Sequence, residues 1–439
     1  MTRIPHESTL DSSLNLLTEG YPFLNNRVKR FQSNIFQTRL LFQKAVCLHG
    51  PEATEVFYNP ELFTRKGAIP ERVQKTLLGE DGVQTMAGEE HRHRKAMFMA
   101  LMAPDSLQIL KDHLKRFWLA YSRKWEHMDQ VVLFDDAQEV FCLAACSWAG
   151  VPLKPEEVRT RAQDFAAMVD AFGAVGPRHW RGRWARDRGE KWTKGIIKKI
   201  RNGKLTVPEA SPAHVIALHR DLEGELLSTR MAAIELINVI RPTVAIAYFV
   251  VFTALALYEH PEYRQKLQYD DGRLTEMFVQ EVRRFYPFAP FVGARVRKKF
   301  KWGGHKFKKG NLVLLDIYGP LHDEALWEQP YAFRPERFQN WEGSPFNFIP
   351  QGGGDYLNNH RCAGEWLTIE AMKVSLDFLT NDVVYEVPEQ DLSFSLARIP
   401  TYPKSGFIIR KVRRMNREAY NSYPGSSSTG AQCPFHKGV

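Results

Sequence analysis

The residue of this chain best suited to unusual chemistry is Cys362, which lies between a three-glycine turn at 352–354 and an apolar run at 367–379. The glycines allow the backbone to lie flat against another group, and the run has helical periodicity. A thiolate just before a helix N-terminus meets free N–H groups and the favourable end of the helix dipole. This setting indicates a metal ligand that binds through one sulfur atom, although a lone cysteine is more often a small buried hydrophobic residue.

A second candidate for chemistry is Arg241, which lies in a long apolar run at 229–259 that is predicted to be one helix. Pro242 removes a backbone hydrogen bond and kinks such a helix. A buried guanidinium needs an anionic partner. None is near in sequence, since Glu235 is almost two helical turns away. The missing anion is either a ligand or a distant carboxylate of the chain.

A cationic cluster follows a loop with glycines at 79, 82 and 88. His91, Arg94 and Lys95 begin a helix predicted over 91–101, which places cations in its first turns against the preference of the helix dipole. That placement requires a further reason, such as a buried anion. The alternative is a basic surface turn.

The elements that position these residues are mostly helical. Helical periodicity is predicted over 107–125, 134–148, 155–172, 212–227 and 275–285, and short strands alternate with glycine turns at 300–302, 305–308 and 312–315. Within the last helix, Glu281 and Arg284 are three residues apart and can form an ion pair, although that spacing is common.

These motifs together resemble the cytochrome P450 superfamily: Glu281-x-x-Arg284, then Arg337 within 333–338, then the Cys362 loop. The usual loop of that family is shorter and has glycine where this chain has Asn358. The Gln-Gly-Gly-Gly form of the loop is similar to that of the bacterial fatty-acid peroxygenases. So is the pair Arg241-Pro242, which stands where ordinary P450s have an acid before threonine.

The resemblance implies a P450 fold, mainly α with small β-sheets, in which residues 1–414 form one haem-thiolate domain and 415–439 form a disordered tail. It also implies roles for individual residues. Cys362 would be the axial ligand of haem b (iron protoporphyrin IX), and the further cofactor-binding residues would be His91, Arg94, Lys95 and His360. The catalytic residues would be Arg241, Pro242 and Gln84, and the residues of a structural network Glu281, Arg284 and Arg337. Substrate would be bound by Arg241, Leu78 and Phe172, although Leu78 and Phe172 suit the core as well.

By the same resemblance, the expected activity is hydroxylation of long-chain fatty acids at the α or β carbon with hydrogen peroxide as co-substrate and no redox partner. The substrate carboxylate, held by Arg241, would act as acid and base. Some decarboxylation to a terminal alkene is compatible with this, but that outcome is associated with histidine at the position of Gln84, and glutamine cannot donate a proton as imidazolium does. The alternatives are a reductase-dependent P450 monooxygenase, a non-catalytic haem or fatty-acid sensor, and a lipid-hydroperoxide isomerase.

Composition limits the location and the partners of the chain. Its 439 residues are 44% hydrophobic, which excludes a disordered protein, and the five cysteines are scattered without paired spacing. With no secretory signal, this favours a reducing cytoplasm. The most apolar run, 243–258, is shorter than the roughly 20 residues of a membrane span, so a core helix and no membrane anchor are expected. The net charge of +10 lies largely in 178–204, where apolar spacing favours a solvated helix face over a nucleic-acid site.

Overall fold

The computed structural model describes residues 4–268 and 270–415, so the predicted tail at 415–439 lies, apart from Met415, outside the described residues. The fold is mainly helical with small sheets, as predicted. The helices are α1 (Ser13–Glu19), α2 (Phe23–Phe31), α3 (Pro51–Phe57), α4 (Glu71–Val73), α5 (Gly88–Leu101), α6 (Pro104–Trp125), α7 (Leu133–Ala149), α8 (Val158–Asp170), α9 (Pro177–Arg201), α10 (Pro212–Leu218), α11 (Thr229–Val244), α12 (Ala247–Glu259), α13 (Pro261–Gln268), α14 (Arg273–Phe285) and α15 (Glu365–Asp377).

The strands form three sheets. They are β1 (Ile35–Leu40), β2 (Gln43–Leu48), β3 (Phe63–Thr64), β4 (Gln130–Val132), β5 (Phe291–Val296), β6 (Phe300–Trp302), β7 (His305–Phe307), β8 (Leu312–Asp316), β9 (Val383–Glu386) and β10 (Ile408–Arg414). The largest sheet has the order β1-β2-β8-β5-β3, in which β2 and β8 run parallel and the other pairs are antiparallel. The smaller sheets are β4-β10-β9 and the hairpin β6-β7. Every residue of β8 is buried, because helices and loops cover both faces of this central strand.

The apolar run at 229–259 lies in the core, as predicted, and 94% of its most apolar window is buried. It begins with a cap, in which the Ser228 hydroxyl accepts the N–H of Met231 at 3.0 Å. The prediction of one continuous helix is wrong, because a turn at Ala245 and Ile246 separates α11 from α12. Pro242 and a tightened turn, in which the Ile246 N–H donates to the Thr243 carbonyl, account for the break.

Two further boundaries differ from the prediction. The helix expected over 212–227 ends at Leu218, because the Asp221 carboxylate accepts the N–H groups of Glu223 and Glu225 and holds a turn. Helix α5 begins at Gly88, so its first turn carries Glu89 and Glu90. The predicted conflict between cations and the helix dipole is therefore wrong, since the acidic residues occupy the first turn.

The basic segment forms α9, whose apolar stripe packs on the core as predicted, with Ile196 buried and Trp192 and Ile200 partly buried. Its arginines are largely paired within the chain. Arg178 and Arg181 bind Asp170, Arg188 binds Asp164, Arg186 binds Glu190 and Arg183 lies near Asp187. Many of these charges therefore serve helix packing.

Candidate functional site

A cavity of about 320 Å³ lies between two groups of residues, which form its opposite walls. The helical wall is formed by residues of 238–249 on α11 and α12, and the cysteine wall by Gln351 and residues of 360–368. Seven predicted site residues line this one cavity: Gln84, His91, Lys95, Arg241, Pro242, His360 and Cys362. No aspartate or glutamate among the described residues lines it.

Cys362 is held by its own backbone at the entrance to α15. Its N–H donates to the Gln351 carbonyl at 3.1 Å, and its carbonyl accepts the Glu365 N–H at 3.3 Å. Burial raises the pKa of the Cys362 thiol, and the Glu365 carboxylate adds to this, while the Gly364 N–H, Lys95 and Arg283 act in the opposite direction. The helix start favours the thiolate as expected, but burial outweighs it.

The cysteine wall is fixed by Arg283, a residue that the sequence reasoning missed. Its guanidinium donates to Glu365 Oε1 at 2.6 Å and to Gln351 Oε1 at 3.2 Å, so it joins α14 to both ends of the cysteine loop. Arg361 donates to the other oxygen of Glu365 at 2.6 Å. Glu365 is thus a buried carboxylate shared by two arginines, and these groups lower its pKa against the effect of burial.

The predicted network of Glu281, Arg284 and Arg337 comes together as expected. Arg284 binds both carboxylate oxygens of Glu281 at 2.7 and 2.8 Å, and Arg337 Nε lies 3.1 Å from Oε2. Arg284 also donates to the carbonyls of Leu321 and Pro330. The network therefore holds the segment before the cysteine loop, whereas Arg283 holds the loop itself.

Lys95 and two histidines form the edge of the cavity. Lys95 Nζ donates to the carbonyl oxygens of Asn359 and, at 2.8 Å, Arg361. The rings of His91 and His360 stack with centroids 3.7 Å apart. Burial, with the nearby Lys95 and Arg65, lowers the pKa of His91 to about 4, so His91 is a neutral hydrogen-bonding group at neutral pH.

A smaller cavity of about 100 Å³ shares His91 and His360 with the first and is also lined by Arg65 and Tyr58. Arg65 is buried without an ion pair to any residue that the structure describes, and the buried Tyr58 hydroxyl has no hydrogen-bond partner among those residues. Sequence reasoning missed both residues, since no local spacing distinguishes them. The sulfur of Cys362 on one wall and these cationic and unpaired donors at the edge fit a haem, whose propionates are anionic.

Arg241 is buried and forms no ion pair with any described residue. Its side chain is 4% exposed, and its Nε is buried without a hydrogen-bond partner. Burial, and then the neighbouring Arg186, lower the pKa of Arg241 to about 9, while the Cys362 thiolate acts in the opposite direction. The alternative left open by the sequence was a distant carboxylate of the chain, and no carboxylate among the described residues forms an ion pair with Arg241.

Glu235, an acid on the same helix as Arg241, already has partners within the chain. Glu235 is fully buried and accepts from Arg94 at 2.8 Å, from Asn238 at 2.9 Å and from the Val83 N–H at 3.1 Å. Arg94 thus lies away from the cavity lining, in an ion pair, and its predicted cofactor contact has no support here. Asn238 also donates to Gln84 Oε1 at 3.4 Å, which orients the Gln84 amide at the cavity.

The two predicted channel residues do not line the cavity. Leu78 ends a π-helical turn at Gln74–Leu78, half-buried. Phe172 packs partly buried against Tyr21, Tyr318 and Ile399, which agrees with a core position. Their substrate contacts remain predictions.

Comparison with known proteins places the chain among haem enzymes. A family model described as Cytochrome P450 matches residues 243–382. A mutant of cytochrome P450SP alpha (CYP152B1) is 45% identical, with 92% of this chain and 100% of that chain covered and a TM-score of 0.90. Wild-type cytochrome P450EX alpha (CYP152N1) with myristic acid is 44% identical, covering 94% and 100%, with a TM-score of 0.91. A variant of cytochrome P450 OleT in complex with arachidonic acid is 37% identical, covering 94% and 99%, with a TM-score of 0.92.

Proposed function

The chain belongs to the cytochrome P450 family, in the branch of the bacterial fatty-acid peroxygenases, and we propose that it uses hydrogen peroxide to hydroxylate long-chain fatty acids at the α or β carbon. The observation that carries the proposal is Arg241, a buried guanidinium that has no carboxylate partner among residues 4–268 and 270–415 and that lines the same cavity as Cys362. Two relatives bind myristic and arachidonic acid in their structures. A fatty-acid carboxylate is the anion that such an arginine lacks.

Cys362 would hold haem b through its sulfur, and His91, Lys95 and His360 would contact the group from the edge of the cavity. A haem bound through a thiolate supplies electron density that favours cleavage of the O–O bond of a peroxide. The rest of the activity depends on how the side chains of this chain bind substrate and move protons.

Arg241 would bind the substrate carboxylate through two parallel hydrogen bonds, because a guanidinium matches a carboxylate in this way. That geometry fixes the first carbons of the fatty acid next to the carboxylate, which explains the expected α or β attack. Apolar residues of the cavity, such as Phe249 and Phe288, would contact the acyl chain and exclude water.

The same carboxylate would serve as the acid and base. Peroxide cleavage requires a group that accepts a proton from one oxygen and returns it to the other. No carboxylate side chain lines the cavity among the described residues, so this part of the chain offers no carboxylate for that role. A substrate carboxylate held by Arg241 would supply that group, and no reductase would be needed.

Thr243 supports this proposal over a reductase-dependent monooxygenase. Its hydroxyl donates to the Val239 carbonyl one turn earlier at 2.9 Å, and the two residues before it, Arg241 and Pro242, are not acids. The pair of acid and threonine that delivers protons in ordinary P450s is therefore not available. Because Gln84 is an amide, hydroxylation should exceed decarboxylation to the terminal alkene.

We also propose that residues 1–414 form a single haem-thiolate domain of a cytoplasmic protein. Two observations support a single domain: one apolar cluster contains residues from Met97 on α5 to Val412 on β10, and β2, in the earlier part of the chain, pairs with β8.

The test is peroxide-driven oxidation of a long-chain fatty acid, with products identified, in the wild type, Arg241→Ala and Arg241→Lys. We expect the Ala variant to lose at least about 100-fold in turnover, the scale of a lost acid–base group. Addition of a short carboxylic acid should restore part of the oxidation of a substrate that lacks a carboxylate. Arg241→Lys should retain binding but lose regioselectivity, because an ammonium does not form the paired contact.

Equal turnover in Arg241→Ala would contradict the role of Arg241. The reduced carbon monoxide spectrum is the control in each variant, since it reports whether the thiolate ligand is intact. If the wild type bound fatty acid but consumed no peroxide, the result would favour a non-catalytic haem or fatty-acid sensor.

A further inference from the structure

The tip of the β1–β2 hairpin has an unusual composition for a solvent-exposed turn. Leu41 and Phe42 occupy its two central positions and are 62% and 82% exposed. Both have a left-handed backbone, with φ of 51° and 60°. Such turns favour Asn-Gly, and bulky residues there are strained. Two apolar side chains are thus held in water at a conformational cost.

Three leucines extend this apolar tip. The Ser13 hydroxyl accepts the Leu41 N–H at 2.8 Å, and the Asp11 carboxylate accepts the Phe42 N–H, so the start of α1 lies against the hairpin. The neighbouring leucines point outward: Leu10 is 79%, Leu14 75% and Leu17 41% exposed. Five large apolar side chains therefore project from adjacent segments, more than scattered surface residues explain.

A cationic edge lies beside the tip. The segment 297–309 contains seven arginines and lysines and no acid: Arg297, Lys298, Lys299, Lys301, Lys306, Lys308 and Lys309. All are exposed, and within the described residues only Lys298 forms an ion pair, with Glu61 at 3.6 Å. Their charge is therefore almost uncompensated.

The strand register places this edge next to the tip. Because β2 and β8 run parallel, with Ala45 opposite Leu312, the segments that precede them meet at one end of the sheet. The tip precedes β2, and Lys308 and Lys309 precede β8. Strand β5 runs antiparallel to β8, so 297–299 follow at the same end.

The hairpin itself adds to the charge. Arg39 and Lys44 are directly opposite each other on β1 and β2, an arrangement of like charges that destabilises a strand pair. Neither forms an ion pair with a described residue. An anionic partner that also accepts apolar side chains would compensate for the exposure, the strain and the repulsion together.

We propose that these elements form a docking surface for an anionic lipid bilayer, with the tip and the three leucines inserted among the acyl chains and the cationic edge on the headgroups. Projecting apolar side chains flanked by lysines are suited to a membrane interface. A symmetric contact with a second copy would place like charges together. A nucleic acid would leave the leucines and Phe42 in water.

The test is co-sedimentation of the full-length, haem-loaded protein with vesicles of phosphatidylcholine alone or with phosphatidylglycerol. Binding should require phosphatidylglycerol and weaken with salt. Leu41→Asn/Phe42→Gly should reduce binding at least tenfold yet raise the melting temperature, because Asn-Gly suits the turn. A structural role for these residues would instead lower it. Lys299→Gln/Lys308→Gln/Lys309→Gln should reduce binding about fivefold for each charge.

The matched control is Lys191→Gln/Lys198→Gln/Lys199→Gln on α9, which removes the same charge from exposed lysines elsewhere and should bind as the wild type does. Equal losses in both lysine variants, no binding to either vesicle, or full binding by the tip variant would each overturn the proposal. So would a tip-dependent dimer, or binding to duplex DNA that persists in the tip variant and exceeds vesicle binding. Vesicle binding requires no substrate or peroxide, so this proposal stands or fails independently of the proposed function.

Discussion

On the cysteine wall, Arg283 and Arg361 share the carboxylate of Glu365, whereas on the helical wall Arg241 has no carboxylate partner in the part of the chain that the structure describes. All of these groups lie in the same buried part of the fold. The cysteine wall satisfies its charges within the chain, so it holds one geometry whether or not a substrate is bound. The helical wall leaves a cation unsatisfied, and such a charge favours the state in which an anion is bound. We therefore expect the cysteine wall to be rigid and the helical wall to depend on a bound substrate.

The largest change in stability is expected when an ion pair of the cysteine wall is removed. Arg283→Met leaves Glu365 with one arginine fewer and should lower the free energy of unfolding by about 3 kcal/mol or more, since one partner of a buried pair is removed. Urea unfolding followed by the haem absorbance measures it. The control, Arg273→Met at an exposed pair with Asp271, should leave the midpoint unchanged. A wild-type midpoint in Arg283→Met would mean that the cysteine wall does not depend on this clamp.

His49 is a second buried cation with partners inside the chain, and its charge depends on pH. His49 lies between Asp316 at 3.0 Å and Asp323 at 3.3 Å, and these carboxylates raise the pKa of His49 to about 9 despite burial. Because the folded pKa exceeds the unfolded one, the stabilisation is complete below about pH 6.5 and is lost as pH rises through 9.

The expected loss over that range is about 2 to 3 kcal/mol of unfolding free energy. Urea unfolding at a series of pH values measures it. The variant His49→Gln should show a flatter profile between pH 6.5 and 9. An unchanged slope in that variant would assign the pH dependence to another group.

The smallest effect is expected at Thr243. Its hydroxyl is bonded to the backbone of its own helix, so Thr243→Val should change peroxide-driven turnover by no more than about threefold. A residue that delivered protons would show a loss of about 10² to 10⁴. Initial rates with a long-chain fatty acid decide between these results, and a loss of the larger size would move the acid–base role from substrate to protein.

The features that local sequence could predict were those with a strong pattern. Helical periodicity predicted most of the helices, the resemblance of the Glu281, Arg337 and Cys362 motifs implied the fold, and Arg241 stood out as a charge in an apolar run. The partners of these residues could not be read in the same way. The pair of Glu281 and Arg284 was predictable because they are three positions apart on one helix, whereas Arg283 forms its ion pair with Glu365, which is 82 residues away.

The same limit applies to other residues. The ion pair of Arg94 with Glu235 could not be predicted, because Glu235 lies 141 residues away and only the fold brings them together. Arg65 and Tyr58 reach the second cavity from the region between α3 and α4 with no motif of their own. The break at Ala245 and Ile246 depends on how the turn after Pro242 tightens, which the sequence position of the proline does not specify.

The free energy of unfolding of Arg241→Leu, measured with and without a saturating long-chain fatty acid, tests most directly whether Arg241 is a cation kept for the substrate. Without fatty acid, the variant should be as stable as the wild type or more stable by about 1 to 3 kcal/mol, because a buried unpaired charge is removed. Fatty acid should stabilise the wild type and have little effect on the variant. A variant that is several kcal/mol less stable, and that fatty acid stabilises as much as the wild type, would contradict the account.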